Sequence, residues 1–211
     1  MQWAILAGIP EEDARRVLQV ARRRTFARRE VVFHRGDPAD TLHLVHSGHF
    51  AVCIGTRLGD TVMLAMMRPG ETFGEIALLD DTASRSATVV ALDGGETRAL
   101  HKPDFDALCA QHSGVADILA RALALRVRRL SELLVEAHHE SADTRVLRRL
   151  LEFGEEGGVV PLTQEELSHL AGTSRATVNR IVRDAQSRGE LALSRGRIEV
   201  LDFAALSARL N

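Results

Sequence analysis

The stretch LTQEELSHLAGTSRATVNRIVRDAQSRG, residues 162–189, leaves few ways to fold. Thr163 and Glu166 have the three-residue spacing of a capping box, so a helix starts there. Gly172 suits the turn that ends it, and Leu167, Leu170, Val178 and Ile181 fall where two crossed helices touch. The pattern predicts a helix-turn-helix. A turn at Ser194 to Arg197, between LAL and IEVL, adds a small β-wing. From Gly172 to Arg197 six arginines (Arg175, Arg180, Arg183, Arg188, Arg195, Arg197) stand against Asp184 and Glu190, although the whole chain carries a net charge of −2. A basic second helix suits a polyanion better than an ordinary helical hairpin does.

Upstream, the period changes. Ala116, Ala120, Leu123, Val127, Leu130, Leu134 and Ala137 are spaced 4-3-4-3-4-3, the a/d seam of a coiled coil. Leu119, Leu125 and Leu133 add a second apolar face. Such a seam predicts a long helix over about 114–138 that forms a twofold dimer. The stretch HHESAD (138–143) then loses the period and reads as a hinge. Residues 26–100 are short apolar or alternating runs broken by Gly, Pro and Asp, which predicts a small β-barrel or jelly roll. PEEDARRVLQVARRR before it and KPDFDALCAQ after it read as helices, the latter with Pro103 near its start.

At 211 residues, with 45% hydrophobic and 27% charged content, the chain can bury a core and divide into two domains. No basic leader precedes an apolar run, and no uncharged stretch approaches the ~18 residues of a membrane span. These features predict a cytoplasmic protein without a membrane partner. Cys53 and Cys109 are too few for a disulfide framework or a four-thiolate cluster and read as packing residues. His43, His46 and His49 raise a cupin-like metal enzyme as a rival, but along a strand 43 and 49 share a face while 46 points away. No metal and no catalytic site is expected, and the chain reads as a non-enzyme.

One stretch remains: GETFGEIALLDDTASRSATV, residues 70–89. It sets Glu75 behind Gly74 and, ten residues on, Arg85 beside Ser86, all among apolar neighbours. A charge there needs a polar partner. The two could pair with each other or face water.

With FGEIALLDDTASRSA, the long helix, the hinge and the winged helix-turn-helix in this order, the chain resembles the cyclic-AMP receptor protein and FNR superfamily of bacterial transcription regulators over essentially its full length. The resemblance implies an α+β chain: a sensor domain over 1–138 with its dimerisation helix, a hinge at 139–144, and a winged helix-turn-helix over 145–211. It implies that Arg85 and Ser86 hold a cyclic phosphate, that Glu75 accepts the ribose 2′-hydroxyl, and that Phe73, Gly74, Ile76 and Ala87 line the same cassette. A threonine followed by a serine on the family's long helix contacts adenine. The matching places here are Leu133 and Leu134, an apolar wall with Arg129 nearby. A cyclic nucleotide, cyclic AMP first, is the expected effector, with no tightly bound cofactor. Cyclic GMP, cyclic di-GMP and a haem-bound gas are the alternatives.

The family's recognition helix begins Ser-Arg-Glu-Thr-Val-x-Arg in its best-known member, and here it reads Ser174, Arg175, Ala176, Thr177, Val178, Asn179, Arg180. The resemblance implies that Arg175 and Arg180 meet guanine edges, and that Thr163, Gln164, Ser174 and Thr177 suit phosphate contacts. Ala176 lacks the carboxylate that would accept from cytosine. The implied partner is double-stranded DNA with a pseudo-palindromic operator. RNA polymerase is a family partner, but the loop GEEGGVV is several residues shorter than the segment that touches it in the best-known member. The FNR-type N-terminal cysteine cluster is absent.

Overall fold

The computed structural model describes residues 3–7, 10–56, 61–79, 84–154, 158–194 and 197–210. The chain divides into two compact units, Met1–Ile54 with Ala65–Ser131, and Gly55–Leu64 with Glu132–Asn211.

In the first unit, helix α1 (Glu11–Val20) precedes eight strands: β1 (Arg22–Phe26), β2 (Val31–Phe33), β3 (Thr41–Ser47), β4 (Phe50–Gly55), β5 (Thr61–Met67), β6 (Thr72–Phe73), β7 (Thr88–Ala91) and β8 (Gly95–His101). They form two four-stranded sheets, ordered β1-β8-β3-β6 and β2-β7-β4-β5. The sheets are antiparallel and open, so the expected jelly roll is present without barrel closure. Along β3 the side chains alternate. Leu42 and Leu44, with Leu100 of β8, join Val17 of α1, Phe105 of α2 (Lys102–Gln111) and Val115, Ile118 and Ala122 of α3 (Ser113–His139) in one apolar cluster. Val45 faces the other way, toward Phe26, Phe50, Phe73 and Val89, between the two sheets. Trp3 donates from Nε1 to the Val45 carbonyl at 2.8 Å.

The helix expected over residues 10–24 stops at Val20, and Arg22–Phe26 is a strand paired with β8. The run of arginines carries no helical apolar stripe, and pairing with β8 buries Phe26 in the inter-sheet core. On α3, Val115, Ile118 and Ala122 are buried in the unit's own core, whereas Val127 (63%), Leu134 (60%) and Leu130 (45%) of the seam are exposed.

The second unit carries the last turns of α3, then α4 (Ala142–Gly154), β9 (Val159–Val160), α5 (Gln164–Ala171), α6 (Arg175–Ser187), β10 (Leu191–Ser194), β11 (Arg197–Val200) and α7 (Phe203–Ala208). The capping box is complete: the Thr163 hydroxyl accepts from the Glu166 amide, and the Glu166 carboxylate accepts from the Thr163 amide. Gly172 ends α5 in the left-handed region at φ 60°, which any side chain would strain. The third sheet, β10-β11-β9, is the wing. Arg195 and residues 155–157 of the GEEGGVV stretch lie outside the described residues.

Between α3 and α4 only Glu140 and Ser141 leave the helical conformation. Arg149 of α4 is buried at 2% exposure and pairs with Glu136 of α3 and Glu152. Arg148 bonds Glu140. A buried charge is tolerable only when paired, so this cluster holds the end of α3 against α4.

Leu44→Ala is expected to lower the unfolding free energy by about 2–5 kcal/mol, and Thr163→Ala by about 1 kcal/mol. Urea denaturation measures both. An unaffected Leu44→Ala variant contradicts the assigned core.

Candidate functional site

The site centres on Arg85. Its main chain is clamped to a turn: the Arg85 amide donates to the Asp37 carbonyl and the Gly36 amide to the Arg85 carbonyl, both at 2.8 Å. The side chain points inward and is 7% exposed. Nη1 donates to the Thr41 carbonyl at 2.8 Å, and the guanidinium carbon lies 4.0 Å from the centre of the Phe33 ring. The carboxylate within ion-pair reach, among the described residues, is Asp40 at 3.8 Å. Nε is buried with no hydrogen-bond partner among the described residues. Burial pulls the Arg85 pKa down, and Asp40 and Asp37 oppose it. The result is a desolvated, incompletely neutralised cation, a strong acceptor site for an anion.

Gly74 lies against this cation. Its φ is +83°, and a Cβ there would come within 2.9 Å of both Arg85 Nη1 and the Thr41 carbonyl, so a glycine is required. Gly74 precedes a 3₁₀ turn, Glu75–Leu78, on which Glu75 is half-buried and Ile76 exposed. Phe73 and Ala87 are buried, and Ser86 is exposed. Gly74 and Arg85 are thus brought together, while residues 80–83 of the stretch lie outside the described residues. Arg129 is on the part of α3 in the first unit; Leu133 and Leu134 are on the part in the second.

Sequence reasoning missed Phe33, Asp40 and Thr41, and considered His43 only as a member of a rival metal-binding set. His43 stacks on Phe73, with centroids 4.9 Å apart and planes 8° from parallel, and lies 6.0 Å from Phe33. Its Nδ1 bonds the Thr97 hydroxyl at 3.0 Å. Burial, helped by the charges of Arg85 and Arg24, pushes its pKa down to about 3, so the ring is neutral. His49 instead bonds Asp93 at 2.8 Å, and His46 lies 6.3 Å from the Trp3 ring. No cluster of three or more His, Cys, Asp or Glu able to hold a metal ion occurs among the described residues.

In the second unit, Arg175, Ala176 and Arg180 are exposed on α6, while Val178 and Ile181 are buried. Ser174 caps α6 by accepting from the Thr177 amide, and Thr163 caps α5, so both hydroxyls are engaged within the fold. Gln164 accepts from Asn179 at 3.0 Å, joining the two helices. Arg180 pairs with Asp143 of α4 at 2.6 Å, a contact without a local signal in the sequence.

Comparison with known proteins follows the same division. Residues 23–112 match the model of the cyclic nucleotide-binding domain, and residues 144–209 that of the Crp-like helix-turn-helix domain. The chain is 36% identical to the Cyclic AMP receptor protein of Thermus thermophilus over 202 residues, covering 94% of this chain and 93% of that one. It is 35% identical to the CRP-like cAMP-activated global transcriptional regulator of Mycobacterium tuberculosis, covering 87% and 86%. The solved structure of the Thermus thermophilus Catabolite Activator Protein matches with a TM-score of 0.57 at 33% identity over 98% of each chain.

Neutral His43 gives a test of this packing. An unfolded histidine takes up a proton below about pH 6.5, whereas folded His43 resists to about 3. Between these values the unfolded chain binds more protons, so this contribution falls as pH falls, by up to ~1.4 kcal/mol per pH unit. His43→Gln is expected to flatten the stability profile between about pH 6 and 4 relative to wild type. Parallel profiles contradict the burial of a neutral ring.

Proposed function

Because the chain belongs to the Crp family of transcription regulators, with a cyclic nucleotide-binding domain and a Crp-like helix-turn-helix domain, we propose that it is a homodimer whose DNA binding is gated by cyclic AMP. The observation that carries this reading is the buried Arg85 guanidinium, whose Nε has no hydrogen-bond partner among the described residues, packed against Gly74. A cyclic phosphate supplies the anion such a group lacks. A charge-assisted bond in a dry pocket is strong, and backbone N–H groups at the 3₁₀ turn add to it. Ser86 bonds the same phosphate, and Glu75 accepts the ribose 2′-hydroxyl. By the resemblance, Leu133 and Leu134 take the places of the family's base-contacting threonine and serine and bring no hydrogen-bonding group. The chain's likeness to two relatives, a cyclic AMP receptor protein and a cAMP-activated regulator, favours adenine over other bases.

The exposed seam of α3 supports the dimer. Val127, Leu130 and Leu134 leave apolar area in water that a twofold copy of the same helix covers. Two recognition helices then face a pseudo-palindromic operator with half-sites about one helical turn apart. Arg175 and Arg180 meet guanine edges, each worth ~1–3 kcal/mol of discrimination. Ala176 offers a methyl contact, which leaves its base pair loosely specified. Ligand shifts the equilibrium between DNA-competent and incompetent states by its differential affinity for the two.

Arg85→Ala is expected to abolish the rise in melting temperature produced by millimolar cyclic AMP while leaving the circular dichroism spectrum unchanged. A retained shift contradicts the phosphate assignment. Leu130→Glu sets like charges across the twofold axis and is expected to convert the dimer to a monomer in sedimentation velocity; an unchanged profile excludes the seam as interface.

A further inference from the structure

We infer that Asp143 is a positioning residue for DNA readout, fixing the Arg180 guanidinium so that it reads a base rather than binding any phosphate. The inference rests on the assignment of Arg180 as a base contact. Arg180 Nη2 donates to Asp143 Oδ1 at 2.6 Å, from the recognition helix to the first turn of α4. Asp143 is itself tied to the helix-turn-helix through Arg145, two residues on. Arg145 donates from Nε to the Ala171 carbonyl at 2.9 Å, from Nη2 to the Gly172 carbonyl at 3.1 Å, and from Nη1 to the Glu140 carbonyl at 2.7 Å. One arginine thus joins the break between α3 and α4 to the turn that launches α6. The carboxylate that meets Arg180 is therefore held in register with the recognition helix and does not ride on a loose loop.

Two roles fit a carboxylate on a DNA-reading arginine: a mask that hides it, or a buttress that aims it. Magnitudes choose between them. Both partners are exposed, at 62% and 45% of their side chains. Such a pair shifts an equilibrium by about fivefold at most, whereas a bidentate guanine contact is worth about fivefold to a hundredfold. The pair is too weak to mask. The contact engages one of the five guanidinium donors, so the fork can still meet guanine O6 and N7. A side chain held at one angle loses less freedom when it does so. The negative charge also cancels much of the arginine's attraction for phosphate, which lowers binding to DNA of arbitrary sequence.

Selection from a random duplex library, with cyclic AMP present, tests this on the full chain, alongside salt titration of binding to a non-specific duplex. Asp143→Asn, an exposed and nearly isosteric change, is expected to relax the guanine preference at one base pair by about fivefold. It is also expected to strengthen non-specific binding, with a salt slope steeper by up to ~0.9. Asp143→Glu keeps the charge and is expected to keep the wild-type slope. Arg180→Ala is run in parallel and should erase the preference at the same base pair. A wild-type logo for Asp143→Asn beside an altered one for Arg180→Ala overturns the inference alone. A wild-type logo for Arg180→Ala overturns the assignment of Arg180 as a base contact and the inference with it.

Discussion

A guanidinium buried between two sheets, with Asp40, the carboxylate in ion-pair reach among the described residues, 3.8 Å away, is the constraint around which the first unit is arranged. Moving a cation out of water is costly unless something returns its hydrogen bonds. The Thr41 carbonyl and the Phe33 ring return part of them. Gly74 leaves room where any other residue would collide with Nη1. His43 stays neutral beside it, because burial disfavours its charged form and Arg85 repels a second cation in the same low-dielectric space. The open sandwich supplies two rigid sheets that hold these groups together, and the helices on the outer face of one sheet supply the apolar mass that keeps that sheet in place.

The second unit is built on a different principle, in which local rules do most of the work. Capping at Thr163 and Ser174, a left-handed Gly172 and a strict apolar period determine α5, α6 and their crossing. What the local rules do not supply is the attachment of that motif to the helix before it. Arg145 and Arg149 provide it through main-chain carbonyls and paired carboxylates. Both arginines lie on α4, so the short break at Glu140 and Ser141 is crossed by directional bonds. The end of α3 and the turn before the recognition helix are thus joined through α4.

This contrast explains what could be read from residues alone. The helix-turn-helix, the heptad helix and the many short strands each follow from a period or a cap confined to a few neighbours. Arg22–Arg24, expected at the end of a helix, are strand because β1 is set by its pairing with Thr97–Ala99 of β8, far along the chain. In the candidate site, Gly74 and Arg85 stood out as unusual residue types in an apolar stretch. Thr41, Phe33 and Asp40 did not, and the place of His43 beside them was not legible, since each meets Arg85 or its neighbours only after two sheets have closed over them. The pair of Arg180 with Asp143 is hidden for the same reason, its members being 37 residues apart.

The central claim is that the nucleotide site and the recognition helices are energetically coupled. Linkage makes this measurable without reference to any single contact, because a ligand that changes operator affinity by some factor must have its own affinity changed by operator to the same extent. Calorimetric titration of cyclic AMP into the free protein and into the protein saturated with operator duplex, paired with operator binding at zero and saturating cyclic AMP, closes this cycle. The account predicts two factors that differ from one and equal each other. A cyclic AMP affinity that operator leaves unchanged contradicts it.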